Sequence, residues 1–372
     1  MRDPRVDKWA DVLVNYSLEA KSGERAVISA DIEAMPLVEA CYEKFLIANV
    51  YAELFLTYKG LSETLFKYGS DEIIATTPPG LRCAVEQCDL YLGIGADANL
   101  KLLTNVPLKK QSLAAQARSS IVTSLLQRYA AKQVRWVYTH FPTPGAAQEA
   151  EMGTKEYEEF ICTLGFLNEA NPIHHWEALS SKQKAIINFL ETKKELHFKN
   201  GAGTDLHVNI ESMKWVNCCG KINFPDGEVY TGPNLNAPDG GVNGIARFSF
   251  PTLYRNVEAR DIELVFEKGA VTRAKASKGE DFLKEMISQD PGAKFAGEIA
   301  IGTNYHMQRI TKNILYDEKF GGTFHLALGK GYPQTGNTNE SALHWDIIFD
   351  LRQNGSITAD GELFFKNGKF LT

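Results

Sequence analysis

The chain has no long apolar run. No stretch approaches the roughly 20 consecutive apolar residues that a membrane-spanning helix needs, so we expect no membrane segment. Residues 1–29 are charged and amphipathic and show no apolar core of the kind found in signal peptides. We therefore expect a cytoplasmic location.

Cysteine and basic residues are also limited. The six cysteines show no CxxC spacing, which predicts reduced and mostly buried thiols in a cytoplasmic protein. Cys218 and Cys219 are adjacent, but without a second pair nearby we favour core packing over metal binding. Lys and Arg number 40 against 46 Asp and Glu, giving a net charge of -6. This balance argues against binding to the phosphate backbone of nucleic acids.

A complete dinucleotide fingerprint is missing as well. Leu92-Gly-Ile-Gly95 follows a strand-like run, but the third glycine of the G-x-G-x-x-G pattern is absent. A nucleotide-binding α/β protein thus remains a weakly supported alternative.

What is present indicates two domains. Strand-like runs at 25–30, 51–58, 89–95 and 134–140 alternate with helical patterns, which predicts a doubly wound parallel sheet. After Lys199 the chain changes to short strands separated by turn signals, typical of a mainly antiparallel β (α+β) domain. We predict a Rossmann-like α/β domain over 1–195 and a β-rich, metal-binding catalytic domain over 196–372.

His344-Trp345-Asp346 is the most specific chemical motif. Side chains two residues apart in a strand point to the same face. His344 and Asp346 would therefore project together as a nitrogen and an oxygen ligand for zinc or a similar divalent ion.

Four further side chains in the same half could complete such a site. Glu228 follows a Pro-Asp-Gly turn, Glu298 begins a strand, Glu318 lies before a Gly-Gly loop, and His325 lies in an apolar strand. Each alone has an ordinary structural explanation. Together with His344 and Asp346 they form the mixed carboxylate and imidazole set that a two-metal hydrolytic site requires. A glutamate could then act as general base and a tyrosine could stabilise an oxyanion.

The order of these motifs resembles the aminopeptidase T family of metallo-aminopeptidases along essentially the whole chain. The motifs are Asn223-Phe-Pro-Asp-Gly-Glu228, Gly297-Glu-Ile-Ala-Ile-Gly-Thr-Asn304, Leu315-Tyr-Asp-Glu-Lys319, His325-Leu-Ala-Leu-Gly329, Gly331-Tyr-Pro333 and Asn339-Glu-Ser-Ala-Leu-His-Trp-Asp346. The resemblance implies a homodimer that removes N-terminal residues, leucine favoured, from peptide substrates. It also implies a dinuclear site for zinc, cobalt or magnesium ions.

Carried over to this chain, the resemblance implies six metal ligands and two catalytic residues. The ligands are Glu228, Glu298, Glu318, His325, His344 and Asp346, and the catalytic residues are Tyr332 and Glu298. Whether Glu298 is a base as well as a ligand stays open. The chain departs from the family pattern in a longer, glycine-rich connection between Glu318 and His325 and in a short loop after Tyr332. A metallohydrolase of another amide bond, or a non-peptidase metal-binding protein on the same scaffold, is the alternative.

Overall fold

The computed structural model describes residues 2–255 and 257–371. It divides into two compact units, Met1–His175 with Gly220–Pro225 and Trp176–Cys219 with Asp226–Thr372. The domain boundary between residues 195 and 196 stays a prediction. Among the described residues, no helix combines the length and the apolar character needed to cross a membrane.

Helices and strands alternate in the first half of the chain, and strands dominate the second. The helices are α1 (Pro4–Asp11), α2 (Met35–Ile47), α3 (Leu61–Tyr68), α4 (Asp71–Ile74), α5 (Pro79–Gln87), α6 (Leu108–Ala130), α7 (Pro144–Glu149), α8 (Thr154–Leu164), α9 (Pro172–Leu190), α10 (Glu280–Ser288) and α11 (Ile314–Asp317). The strands are β1 (Arg25–Asp31), β2 (Tyr51–Thr57), β3 (Leu90–Gly95), β4 (Arg135–His140), β5 (Glu195–Lys199), β6 (Asp205–Asn209), β7 (Val216–Cys218), β8 (Asn223–Phe224), β9 (Glu228–Thr231), β10 (Val242–Phe248), β11 (Thr252–Tyr254), β12 (Val257–Ala259), β13 (Ile262–Glu267), β14 (Ala270–Lys275), β15 (Ala296–Gly302), β16 (Thr323–Gly329), β17 (His344–Asp350), β18 (Ser356–Ala359), β19 (Glu362–Lys366) and β20 (Lys369–Phe370). A π-helical turn (Val12–Ser17) and two 3-10 turns (Ile32–Ala34 and Pro333–Thr335) complete the list.

The first unit is built on a parallel sheet, as the alternating pattern predicts. Its strand order is β2-β1-β3-β4-β8, and every neighbouring pair is parallel. The central strands β1 and β3 are almost entirely buried, which is typical of parallel sheets covered by helices. The α/β class is therefore confirmed. The short edge strand β8 comes from residues far along the chain and was not predicted.

The two glycines of the partial fingerprint have a packing role. Gly93 and Gly95 lie inside β3 and not in a loop after it. A Cβ atom on Gly93 would lie 2.7 Å from the Tyr138 ring, and one on Gly95 would lie 2.5 Å from His140 Nε2. The glycines make room for side chains of β4, so the structural context that a dinucleotide fingerprint needs is missing here.

The second unit contains the antiparallel strands that the turn-rich pattern predicts. An eight-stranded sheet has the order β14-β13-β10-β6-β5-β18-β19-β20, and a five-stranded sheet has the order β17-β16-β15-β9-β7. All strand pairs in the five-stranded sheet are antiparallel. The mainly antiparallel β class of this half is confirmed.

The five-stranded sheet has two chemically different faces. Alternate residues of β9, β15, β16 and β17 enter the hydrophobic core, among them Val229, Ile299, Phe324, Leu326, Trp345 and Phe349. Phe324 packs against Phe198 of β5, with ring centroids 3.9 Å apart. The residues between them point to the opposite face, where the predicted metal ligands lie.

Replacing Phe324 by Ala should destabilise the fold, because Phe324 is fully buried between other aromatic rings. We expect a loss of about 3–5 kcal/mol in the free energy of unfolding, measured by urea denaturation. Leu363→Ala is the control, since 41% of Leu363 is exposed. Equal stability of the two variants would contradict the buried position of Phe324.

Candidate metal centre

Strand register brings five of the six predicted ligands onto one face of the five-stranded sheet. Glu298 on β15 and Asp346 on β17 both pair with Ala327 of β16, from opposite sides. Glu228 on β9 pairs with Gly302 of β15. Because the paired residues Ala327 and Gly302 are small, the carboxylates and imidazoles can occupy the space above this face of the sheet. A β-bulge between Ala296 and Glu298 sets the register in which Glu298 faces this side.

The sixth residue, Glu318, comes from outside the sheet. It caps the C-terminus of α11 and has one ligand atom within 4.8 Å of those of His325 and Asp346. The longer connection between Glu318 and His325 therefore does not separate them. The structure brings all six residues together, while their assignment as ligands remains a prediction.

The side chains form two overlapping groups. In the first, the His344 cluster, His344 Nε2 lies 3.4 Å from Glu298 Oε2 and 3.5 Å from Asp346 Oδ2. The second, the His325 cluster, combines two groups that share His325, one with Glu228 and Glu298 and the other with Glu318 and Asp346. His325 Nε2 lies 3.5 Å from Glu228 Oε2, 3.7 Å from Glu298 Oε1 and 3.8 Å from Asp346 Oδ1. Glu298 and Asp346 belong to both clusters.

These distances fit shared metal ligands better than hydrogen bonds. Two ligand atoms each about 2.1 Å from one ion, at a tetrahedral angle, lie roughly 3.4 Å apart. Moreover, Glu228 Oε2, Asp346 Oδ1 and both ring nitrogens of His325 are buried without a hydrogen-bond partner among the described residues. Buried polar atoms are nearly always paired. Three of these atoms, Glu228 Oε2, Asp346 Oδ1 and His325 Nε2, lie together, and they match the donor set of a divalent cation.

His344 is oriented for binding and lies on the more open side. Its Nδ1 donates a hydrogen bond to the Lys330 carbonyl oxygen at 2.9 Å, which directs Nε2 towards Glu298 and Asp346. The His344 side chain is 26% exposed, whereas that of His325 is 1% exposed. Tyr332, the predicted catalytic tyrosine, places its hydroxyl 3.4 Å from His344 Nε2.

The backbone at Glu228 is held on both sides. Gly227 has a φ of +128°, and a Cβ atom there would lie 2.8 Å from Asn304 Cβ, so glycine is required. Gln183 Nε2 on α9 donates to the Glu228 carbonyl oxygen at 2.8 Å. The sequence indicated the turn before Glu228, but it gave no sign of the distant glutamine.

Sequence reasoning also missed a lysine at the centre of the site. Lys319 Nζ lies 2.5 Å from Glu228 Oε1 and 2.6 Å from Glu318 Oε1. Asp226 Oδ1 lies 3.6 Å from the same nitrogen. A lysine that follows a glutamate normally indicates a solvated surface. Only the contacts of its Nζ with Glu228 and Asp226 in the folded chain reveal that this one is buried.

Burial and mutual charge shift the pKa values of these groups in different directions. Burial would lower the pKa of both imidazoles, but the nearby carboxylates outweigh it, raising that of His325 to about 9 and that of His344 to about 10. Burial raises the pKa of Glu228 to about 8, against the effect of Lys319. Burial also opposes ionisation of Glu298, but His325 and His344 lower its pKa to about 2.

The sequence is similar to those of known metal-dependent peptidases. A family model described as thermophilic metalloprotease (M29) matches residues 2–370. Aminopeptidase 2 of Geobacillus stearothermophilus is 25% identical, over 99% of this chain and 98% of its own length. Aminopeptidase T of Thermus thermophilus is 26% identical, over 88% of this chain and 85% of its own length.

Solved structures support the same fold. Wild-type AmpT from Thermus thermophilus superposes with a TM-score of 0.86 at 22% identity, covering 99% of both chains. A 2,5-dihydroxypyridine dioxygenase from Pseudomonas putida KT2440 superposes with a TM-score of 0.57 at 15% identity, over 99% of this chain and 97% of its own. At these identities the likeness concerns the fold alone.

Metal binding near pH 7 should release protons. His325, His344 and Glu228 have raised pKa values, so they carry protons that a metal ion displaces. Affinity should therefore rise between pH 6 and pH 9. Calorimetric titration of the metal-free protein with zinc, in two buffers of different ionisation enthalpy, measures the protons released. A heat independent of the buffer would contradict these protonation states.

Proposed function

The chain belongs to the M29 family of thermophilic metalloproteases, and we propose that it is a metal-dependent aminopeptidase. It removes N-terminal residues from peptides, with leucine and other apolar residues favoured. Several relatives of similar length carry the name aminopeptidase. The observation that carries the proposal is the group of buried, unpaired carboxylate and imidazole atoms on one face of the five-stranded sheet.

We propose that this site holds two divalent ions. The His344 cluster would hold one ion and the His325 cluster the other. Glu298 and Asp346 belong to both clusters, so each would help to hold both ions. Nitrogen and carboxylate ligands suit zinc, cobalt and magnesium to different degrees, and imidazole favours the first two. Glu318 and Glu228 complete the proposed set of six ligands.

The residues around this space have defined roles in the proposed reaction. When bound, the divalent ions supply Lewis-acid activation of a peptide carbonyl group and of a water molecule. Both oxygens of Glu298 face imidazoles, so we assign it first as a ligand and second as the acceptor of a proton from water. The Tyr332 hydroxyl, next to His344 Nε2, donates a hydrogen bond to the oxygen on which negative charge develops. Substrate approaches on this side, where His344 is partly exposed.

We extend the proposal to assembly, as the resemblance implies, and to location, as the N-terminal sequence and the cysteine pattern indicate. The protein acts as a homodimer in the cytoplasm. Size-exclusion chromatography with light scattering measures the assembly directly, and a monomer at working concentration would contradict it.

Purified protein should hydrolyse leucyl-p-nitroanilide, lose this activity to a chelator and regain it with cobalt or zinc. An N-acetylated leucyl substrate should resist, because the reaction requires a free amino terminus. His344→Ala should reduce both metal content and turnover. Metal-loaded, folded protein that is inactive on a panel of aminoacyl substrates would overturn the proposal. If it cleaved only N-blocked amides, the alternative of another amide hydrolase would be favoured.

Tyr332→Phe should lower kcat about 10²- to 10³-fold with little change in KM, because it removes one donor to the oxyanion. Metal content should stay at the wild-type level, since the hydroxyl is not a proposed ligand. Tyr305→Phe is the matched control, because the Tyr305 hydroxyl donates to a backbone carbonyl group at Gly368. Steady-state kinetics of the three proteins gives the comparison, and an unchanged kcat in Tyr332→Phe would remove Tyr332 from the mechanism.

A further inference from the structure

One charged group in the candidate metal centre has no role in the proposed reaction. The Lys319 side chain is 3% exposed, and its ammonium group contacts carboxylates from three positions. Its Nζ lies 2.5 Å from Glu228 Oε1 and 2.6 Å from Glu318 Oε1. A lysine is rarely buried to this degree unless it is paired. Both of its close partners are proposed metal ligands.

We propose that Lys319 is a positioning residue that holds Glu228 and Glu318 as one-oxygen ligands for the ion in the His325 cluster. The proposal rests on the two-ion site proposed above. Lys319 is then a permanent counter-cation of these carboxylates, and it remains in the site after the metal ions have bound.

The two oxygens of Glu228 support this role. Oε1 contacts Lys319 Nζ, while Oε2 lies 3.5 Å from His325 Nε2 and has no hydrogen-bond partner among the described residues. The ammonium group thus occupies one oxygen and leaves the other facing the imidazole. Glu318 likewise binds Lys319 through Oε1 and supplies a ligand atom to the group with His325 and Asp346. Fixing ligand carboxylates in this way is how outer contacts raise metal affinity.

Charge balance points in the same direction. Asp226 and the four proposed carboxylate ligands, Glu228, Glu298, Glu318 and Asp346, place five carboxylates around Lys319 and the proposed ions. With neutral imidazoles, two divalent ions would compensate four of these charges and the Lys319 ammonium group the fifth. Buried charges that lack compensation are strongly unfavourable. The lysine therefore completes the balance of a two-ion centre and does not need to leave when metal binds.

Lys319 is also held in place by its backbone. Its N–H donates to the Tyr316 carbonyl oxygen at 2.9 Å, and its carbonyl oxygen accepts from Asn304 N–H at 3.0 Å. Asn304 follows β15, so the lysine is tied to the sheet that carries Glu298. The ammonium group is consequently presented to Glu228 and Glu318 from a fixed point.

Replacing Lys319 should affect only one of the two proposed ions. Glu228 and Glu318 belong to the His325 cluster but not to the His344 cluster. Loss of the ammonium group should weaken the ion in the His325 cluster and leave the other in place. A lysine that served only the stability of the fold would not discriminate between the two ions.

The test compares metal binding by wild-type protein, Lys319→Met and Lys319→Arg. Isothermal titration of the metal-free proteins with cobalt(II), supported by elemental analysis after dialysis, counts the ions and gives both affinities. Wild-type protein should bind two ions. Lys319→Met should keep one at wild-type affinity and bind the second about 10- to 100-fold more weakly. Lys319→Arg should retain more of the second affinity. Lys278→Met is the control, because Lys278 pairs with Glu258 at the surface.

Several outcomes would overturn the inference. They are a single ion in wild-type protein, unchanged or tighter binding of the second ion in Lys319→Met, parallel loss of both ions, and equal loss in the Met and Arg variants. If Lys319→Met lacks the wild-type circular dichroism spectrum, Lys319→Gln replaces it under the same criteria. Ion counting needs no substrate, so wild-type protein that binds both ions but does not cleave leucyl-p-nitroanilide would contradict the proposed function only.

Discussion

The second unit depends on placing many ionisable side chains on the buried face of a sheet whose other face is the hydrophobic core. Isolated charges cannot be buried without compensation. The clustered carboxylates must therefore be paired with positive charge. The Lys319 ammonium group and the His325 imidazole contact them, and the same side chains form groups that could hold metal ions. The apolar side chains of the same strands, such as Phe324 and Trp345, fix the sheet against its neighbour. Strand alternation thus couples folding of the core directly to assembly of the site.

The site is rigid because most of its side chains come from strands and not from loops. Ala327 lies between Glu298 and Asp346 in the ladder, so these two residues stand on the strands that flank β16. The bulge before Glu298 sets the direction of the Glu298 side chain. Exposure is graded across the site, from the buried His325 to the partly open His344. Because only the His344 side of the site is partly exposed, a substrate would approach from that side, while the ligands around His325 remain buried.

Much of the fold could be predicted from the sequence because local patterns were strong. The runs that became β1, β3 and β4 are apolar and bounded by turns, and the change in pattern after Lys199 marks a change from parallel to antiparallel strands. The edge strand β8 could not be found this way, since two residues carry no periodicity. The pairing of β5, β10 and β18 in the eight-stranded sheet is decided by contacts distant in sequence, which no local pattern records.

For the candidate site, the sequence by itself determined the residue types, their order and the shared direction of His344 and Asp346. Periodicity within one strand is a local property, so it could be read without a structure. Only the tertiary structure decided that Glu228, Glu298 and Glu318 converge on the two histidines, because strand register is set by cross-strand packing. The same holds for Lys319. Its chemistry was visible beside Glu318, but its burial between carboxylates depends on its contact with Glu228, 91 residues earlier in the chain, which no local pattern records.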